Sequence, residues 1–323
     1  MAGSGRLVVV AALMGNAAVA ATKFVAAAFT GSSAMLSEGV HSLVDTANQV
    51  LMLHGIRRAA RPPDPKHPFG YGRELYFWAF IVALMVFALG AGISFYEGLA
   101  HLRHPREMAN PLVNYIVLGA SLLFEGVTWT IALRSFRAAK GRRGWVQAFR
   151  DSKDASTFTV LFEDTAAVLG LLIALGGIAA TQVTGDPRYD GYASLGIGAV
   201  LAITAILLAR ETKGLLLGEL AQRQVVEDIL HIAGSDPDVR CANGVLTQQL
   251  GPESIIAALS ADFHDTLTTP QIEACVLRIE RAVQQTHPDI TALFVKPQTA
   301  QTWAKRRLRW DPDRVTPDGI DAA

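Results

Sequence analysis

The sequence predicts an α-helical membrane protein of six transmembrane helices followed by a small α+β domain on the cytoplasmic side. Half of the 323 residues are hydrophobic and the mean hydropathy is positive, which places membrane proteins first among the classes to test. Six apolar runs are each long enough to cross a hydrocarbon core, which takes about 20 helical residues. After about residue 212 the composition turns polar. The expected plan is a six-span membrane domain over about 1–212, a cytoplasmic domain over about 213–300 and a polar, mobile tail over about 301–323.

The apolar runs cover about 7–30, 34–56, 76–100, 112–135, 157–182 and 190–211. The first begins close to Met1 and no small-residue cleavage site follows it, so it reads as a retained span. No Arg-rich transit segment precedes it, which favours a bacterial inner membrane. Orientation follows from the loops. RRAARPPDPKHPFGYGR after the second span carries Arg57, Arg58, Arg61, Lys66 and Arg73, and RSFRAAKGRRGWVQAFRDSK after the fourth carries seven Lys or Arg. The loops after spans one, three and five hold none, Arg103 with Arg106, and Arg188. The excess of positive charge on one side places both termini in the cytoplasm.

The polar region begins with an amphipathic helix in ELAQRQVVEDILHIAGS, with Val225, Ile229, Leu230 and Ile232 apolar among charges. Two strand-like runs, CANGVLTQQL and SIIAALSADF, flank Gly251-Pro252. TPQIEACVLRIERAVQQT reads as a helix with Thr269 as N-cap and Ile272, Val276, Ile279 and Val283 on one face. ITALFVKP closes with a last strand. This α-β-β-α-β order is that of a ferredoxin-like domain, helices on one side of a short sheet.

Other classes lose support from composition. Lys plus Arg and Asp plus Glu number 29 each, and the basic residues lie in short loops rather than on one face, so no nucleic-acid partner is expected. Cys241 and Cys275 form no disulfide framework and match no zinc-finger spacing. Both read as buried structural residues.

The candidate site lies inside the second span, in SEGVHSLVD over 37–45. A charge at mid-membrane costs about 3 kcal/mol on insertion scales, so such residues face a protein interior or an aqueous path. His41 and Asp45 are four apart, about 40° around the axis and one turn along it. Glu38 joins the same stripe, and Asn48 and Gln49 extend it, while Met35, Leu36, Val40, Leu43 and Val44 are apolar. In span five Glu163 and Asp164 open a long apolar run, and since adjacent residues diverge by about 100°, one of the two faces span two. An imidazole with two or three carboxylates between helices is the inventory of a divalent metal site. Glu125, midway along span four, suits either a packing partner or an ion path. Lys23 of span one reads as snorkelling to the outer interface, and Asn16 as pairing with a neighbouring helix.

The runs GSSAMLSEGVHSLVDTANQ, PDPKHPFGYGRE and LFEDTAAVLG, with six spans and a small α+β domain, resemble the cation diffusion facilitators, a family of zinc transporters. LFEDTAAVLG, HSLVDTANQ and GRELYFW are most similar to the branch that contains zinc transporter 9. The resemblance implies a metal held at mid-membrane by paired ligands on spans two and five. Here these are His41 and Asp45 on span two and Asp164 on span five, with Val160 at the remaining position. Glu163 or a water is the candidate to complete the shell. The resemblance also places a loop metal site at Asp64 and His67, but its third position is Tyr71, so a structural loop is the expectation. Positions that bind metal in the C-terminal domain of some relatives fall on Asn243 and Lys296, and a lysine repels a cation. No dinuclear site is expected there, His264 reads as a surface residue, and the domain is expected to make a homodimer.

The expected activity is zinc efflux by proton antiport with alternating access, without a resident cofactor. Metal and H⁺ compete for the same imidazole and carboxylate atoms, which supplies the coupling. An imidazole among carboxylates favours Zn2+, while Mn2+, Fe2+ and Co2+ stay open. Gly90, Gly92 and Gly170 are candidates for close, sliding helix contacts. Two rivals remain: an intramembrane metalloenzyme, for which no HExxH signature is present, and a non-transporting membrane scaffold or sensor.

Overall fold

Apolar runs of this length fold as helices because a backbone without water must satisfy its own N–H and C=O groups. The computed structural model describes residues 2–107, 109–141, 144, 153 and 155–307. The helices are α1 (Ala2–Thr30), α2 (Ser33–Ala59), α3 (Arg73–Met85), which runs through a π-helical turn at Val86–Ala91 into α4 (Gly92–Arg103), α5 (Pro111–Lys140), α6 (Ala155–Thr184) and α7 (Arg188–Leu217). By length and composition, four stretches among the described residues suit a membrane crossing: Arg73–Arg103, Pro111–Ala138, Phe158–Thr184 and Arg188–Leu217. The charged stripe of α2 lowers its own hydropathy. That stripe is sheltered by position, since α2 packs against α1, α3, α4 and α6, and Glu38, His41 and Asn48 are buried. Large apolar side chains such as Phe29, Leu112, Leu123, Ile131 and Ile203 point outward, as a membrane-facing surface requires.

Gly31 turns the chain between α1 and α2 with φ +72°, a left-handed value that suits a residue without Cβ. Asp190 of α7, almost fully buried, then holds the start of α2. Its carboxylate accepts from Ser32 Oγ at 2.6 Å, the Ser33 N–H at 2.5 Å, Ser33 Oγ at 3.0 Å and the Ala34 N–H at 3.4 Å. An anion there satisfies free N–H groups and complements the helix dipole. Of the three glycines expected at sliding contacts, Gly170 touches the Glu38 carboxylate across the α2–α6 contact, and Gly90 meets Leu201 at 3.3 Å. Gly92 corrects the expectation. It is exposed, and a Cβ there would meet only the Phe87 carbonyl of its own helix at 3.8 Å.

The chain divides into two compact units, Met1–Pro62 with Arg73–Leu216, and Pro63–Gly72 with the chain from Leu217 onward. This shifts the expected boundary from about 212 to 217, because α7 stays helical through its last apolar residues. It also moves part of the loop after α2 into the second unit. A Cβ on Gly72 would lie 2.6 Å from the Leu250 carbonyl, so the glycine permits this backbone approach. Phe69 meets Phe294 edge-on at 6.3 Å.

The second unit continues with α8 (Arg223–Gly234), β1 (Val239–Gly251), β2 (Ser254–Phe263), α9 (Thr269–Thr286), β3 (Ile290–Pro297) and α10 (Ala300–Arg307). β1 pairs antiparallel with β2, and β2 pairs parallel with β3, in the order β1-β2-β3. The apolar faces of α8 and α9, with Val225, Ile229, Cys275, Ile279 and Val283, close the core over Ala257, Leu259 and Leu293 of the sheet. The N-cap of α9 is Thr268, not Thr269, because Gln271 three residues on completes a capping box, its Oε1 accepting from the Thr268 N–H at 2.8 Å. The expected tail starts as helix α10, where Trp303 lies over Gly244 at a distance that leaves no room for a Cβ. The rest of that tail, 308–323, and most of the basic loop after α5 lie outside the described residues. Cys275 is buried but Cys241 is exposed, a correction that follows from its outward register on β1.

Candidate metal site

The polar stripe of α2 faces protein on two sides. His41 is 1% exposed, and neither Nδ1 nor Nε2 has a hydrogen-bond partner. Its Nε2 lies 3.4 Å from Asp45 Oδ2, a contact of the one-turn pair itself. Asp45 Oδ1 is likewise buried without a partner. A buried imidazole with both nitrogens unbonded forgoes the pairing that interiors normally supply, and such an atom is free to take a proton or a metal.

Asp45 opens on a cavity of about 340 Å³ inside the helical unit, lined also by Asn16, Ser42, Glu125, Val160 and Asp164. The adjacent acidic residues of α6 therefore part company. Asp164 faces this cavity, while Glu163, 7% exposed, accepts a hydrogen bond from Asn48 Nδ2 at 2.6 Å. Asn16, expected to pair with a neighbouring helix, is among the residues that line the cavity. Val160 presents a hydrocarbon wall to the cavity, at the position where the resemblance implied a further ligand.

Lys23 corrects the snorkelling expectation. It is fully buried, and its ammonium donates to Glu38 Oε2 at 3.2 Å, Ser42 Oγ at 2.7 Å and Glu125 Oε1 at 3.2 Å. Three acceptors satisfy its three N–H groups, which is why the side chain turns inward. Glu125 is thus joined to α1 and α2 through this lysine, which also engages Glu38. Lys23 and Ser42 are the residues that sequence reasoning missed. The available signal was a lysine within an apolar run one hairpin away from Glu38.

Among the described residues, the only trio of His, Cys, Asp or Glu whose ligand atoms all lie within 4.8 Å of one another is Asp236, Asp238 and Cys275. That trio already holds a cation. Arg278 donates to Asp236 at 2.8 and 3.0 Å and to Asp238 at 2.7 Å, and this guanidinium holds the Asp236 carboxyl below its usual range. His41, Asp45 and Asp164 do not converge to that distance, and Asp45 and Asp164 line the cavity while His41 does not.

In the loop, Asp64 Oδ1 accepts from the His67 N–H at 2.7 Å and the Lys66 N–H at 2.9 Å, and Oδ2 accepts from the Tyr71 hydroxyl at 2.5 Å. The Tyr71 bond, and then the His67 N–H, hold the Asp64 carboxyl below its usual range. His67 stacks on Tyr71 with ring centres 4.2 Å apart. In the C-terminal unit Asn243 donates to the Gln298 carbonyl at 2.8 Å and to Ser260 Oγ at 3.2 Å, and Lys296 and His264 are exposed.

Apolar helices around a cavity lined by Asp45, Glu125 and Asp164 define an integral membrane protein. Residues 9–217 match the cation efflux transmembrane domain, and the chain belongs to that family, the cation diffusion facilitators. It is 36% identical over 269 residues to the mouse "Proton-coupled zinc antiporter SLC30A9, mitochondrial", covering 83% of this chain and 47% of that protein. It is 31% identical over 260 residues to Arabidopsis thaliana metal tolerance protein C4, covering 79% of this chain and 56% of the relative. With the cation-efflux pump FieF of Yersinia enterocolitica it shares 30% identity over 285 residues, 87% of this chain and 89% of the pump. The chain spans about half the length of its SLC30A9 relatives.

Proposed function

We propose that the protein is a secondary transporter that exports a divalent cation, zinc, in exchange for protons. The observation that carries this reading is His41, buried with two unbonded ring nitrogens beside Asp45. His41, Asp45 and Asp164 are the proposed ligands, and Asn48 with Glu163 forms the hydrogen-bonded pair next to them. The residues supply the coupling themselves. The imidazole and carboxylates bind metal only when deprotonated, so metal release on the far side is accompanied by proton uptake at the same atoms. Alternating exposure of one central site is the general scheme for such transporters.

The mouse relative is named a proton-coupled zinc antiporter, which supports zinc and proton exchange here. The imidazole favours zinc over Mn2+, and the thin nitrogen content of the site leaves Fe2+ and Co2+ as competitors. Six spans, with α1 and α2 completing the four apolar stretches, and cytoplasmic termini complete the proposed topology. A bacterial inner membrane is the proposed host, supported by the 30% identity to a bacterial pump. The C-terminal domain is proposed to make a homodimer, supported by the exposed Leu246 and Phe294 on its sheet, and the Asp64–His67 turn serves structure rather than metal.

Reconstituted into liposomes with an internal pH dye, the wild type should show proton movement driven by added zinc, and Asp45→Ala and Asp164→Ala should each abolish it. Undiminished flux in both variants would end the proposed mechanism. A wild-type chain with no zinc binding dependent on Asp45 would instead be the scaffold or sensor that Val160 admits.

A further inference from the structure

Transport through His41, Asp45 and Asp164 does not by itself call for a lysine in the centre of the bundle. Lys23 sits there with no exposure, and its ammonium is divided among α1's neighbours, with Glu38 and Ser42 on α2 and Glu125 on α5. Two of these three acceptors, Ser42 and Glu125, also line the cavity that Asp45 and Asp164 share. Glu125 is 15% exposed, and only its Oε1 is engaged by the lysine. The wall beside it is Val160, the position from which α6 supplies no ligand.

We propose that Glu125 is the carboxylate that takes the place of the missing ligand on the transported cation, and that Lys23 is a tethered cation that holds Glu125 between cycles and yields it to the metal. The proposal rests on the transporter reading. An ammonium and a divalent ion seek the same carboxylate and repel one another across it, so both do not occupy Glu125 at full strength. Release of Glu125 does not strand Lys23, because Glu38 Oε2 and Ser42 Oγ remain in contact with Nζ. Glu38 is then the permanent partner of the lysine and Glu125 the exchangeable one. The burial of the two carboxylates differs in the same sense, 0% exposure for Glu38 against 15% for Glu125.

The test is zinc titration by calorimetry on the full chain in detergent, with Asp45→Asn as the control for the transport site. Glu125→Gln should weaken zinc binding by about tenfold or more, the scale on which metal-supporting groups act. The pair Lys23→Met with Glu38→Gln leaves the net charge of the lysine and its two carboxylates unchanged while removing the tether. It should tighten zinc binding by at least about threefold, since a competing cation has gone, and adding Glu125→Gln should cancel the gain. Unchanged affinity in Glu125→Gln overturns the ligand role, and unchanged or weaker affinity in the neutral pair overturns the tether. Should that pair not fold, Lys23→Arg serves in its place. Its rigid fork holds Glu125 more firmly and should weaken zinc binding, and equal affinity overturns the tether as well. If Asp45→Asn itself leaves zinc binding intact, the transporter reading fails, whatever Glu125 does.

Discussion

Asp190 should decide whether the start of α2 is fixed or free. Asp190→Asn keeps the shape of the side chain but removes its charge and turns an NH2 group toward donors. The two carboxylate oxygens serve Ser32 Oγ and the Ser33 N–H from a buried place; with one of them turned into a donor, one of these buried groups loses its acceptor, which costs about 1–3 kcal/mol. Loss of an anion at a helix N-terminus adds about 0.3–2 kcal/mol. A total near 3 kcal/mol corresponds to a fall of about 6–12 °C in apparent melting temperature for a unit of this size. Thermal unfolding of the full chain in detergent, followed by far-UV circular dichroism, reads it directly. His41 lies eight residues beyond Ser33, about 12 Å along the same helix, so zinc affinity should fall with it. A shift below about 2 °C would show that this carboxylate does not anchor α2 and would refute the reasoning.

Lys23→Met alone should be more damaging than Lys23→Met with Glu38→Gln, because the single change strands a fully buried carboxylate at a cost of about 3–5 kcal/mol; equal melting temperatures for the two would contradict the buried ion pair. In the C-terminal unit, Asp236 beside Arg278 has a depressed folded pKa. Its contribution is therefore present above the unfolded value of about 3.9 and lost as pH falls through the lower folded value. The low-pH decline of unfolding temperature should accordingly be shallower in Arg278→Ala than in the wild type, and identical pH profiles would remove Arg278 from that account. Cys275 is buried, its thiol pushed up to about 12 by burial and by Asp236, whereas Cys241 is exposed. Iodoacetamide at neutral pH should add one label per folded chain and two after denaturation; two labels on the folded protein would contradict this packing.

The parts legible in the sequence were those written in short-range patterns. The His41 and Asp45 pair is one helical turn, so its shared face followed from spacing alone. The order of α8, β1, β2, α9 and β3 followed from changes of hydrophobic period, and the segment of α2 that meets protein rather than lipid followed from its polar stripe. What stayed hidden depends on partners far apart in the chain. Lys23 meets Glu38 after 15 residues and Glu125 after 102, and the one cue, its place a hairpin away from Glu38, does not by itself separate such a lysine from one that reaches the interface. Helical geometry alone separated Glu163 from Asp164 but did not say which faces α2's cavity; that choice required the position of Asn48. Thr268 was passed over for Thr269 because the capping residue is fixed by Gln271 and not by the first helical residue.

Pro63–Gly72 folds with the chain beyond Leu217 rather than with the helices on either side of it. The second unit is therefore discontinuous in sequence, and the backbone passes between units near 62, 72 and 216. An engineer who cuts at 217 does not release a whole module. The piece left behind keeps a loop whose glycine was fitted to Leu250, and the piece removed lacks the phenylalanine that met Phe294. Chimaeras with relatives should exchange residues 63–72 together with everything after 217, and those that exchange the carboxyl-terminal part alone should be the poorer expressers.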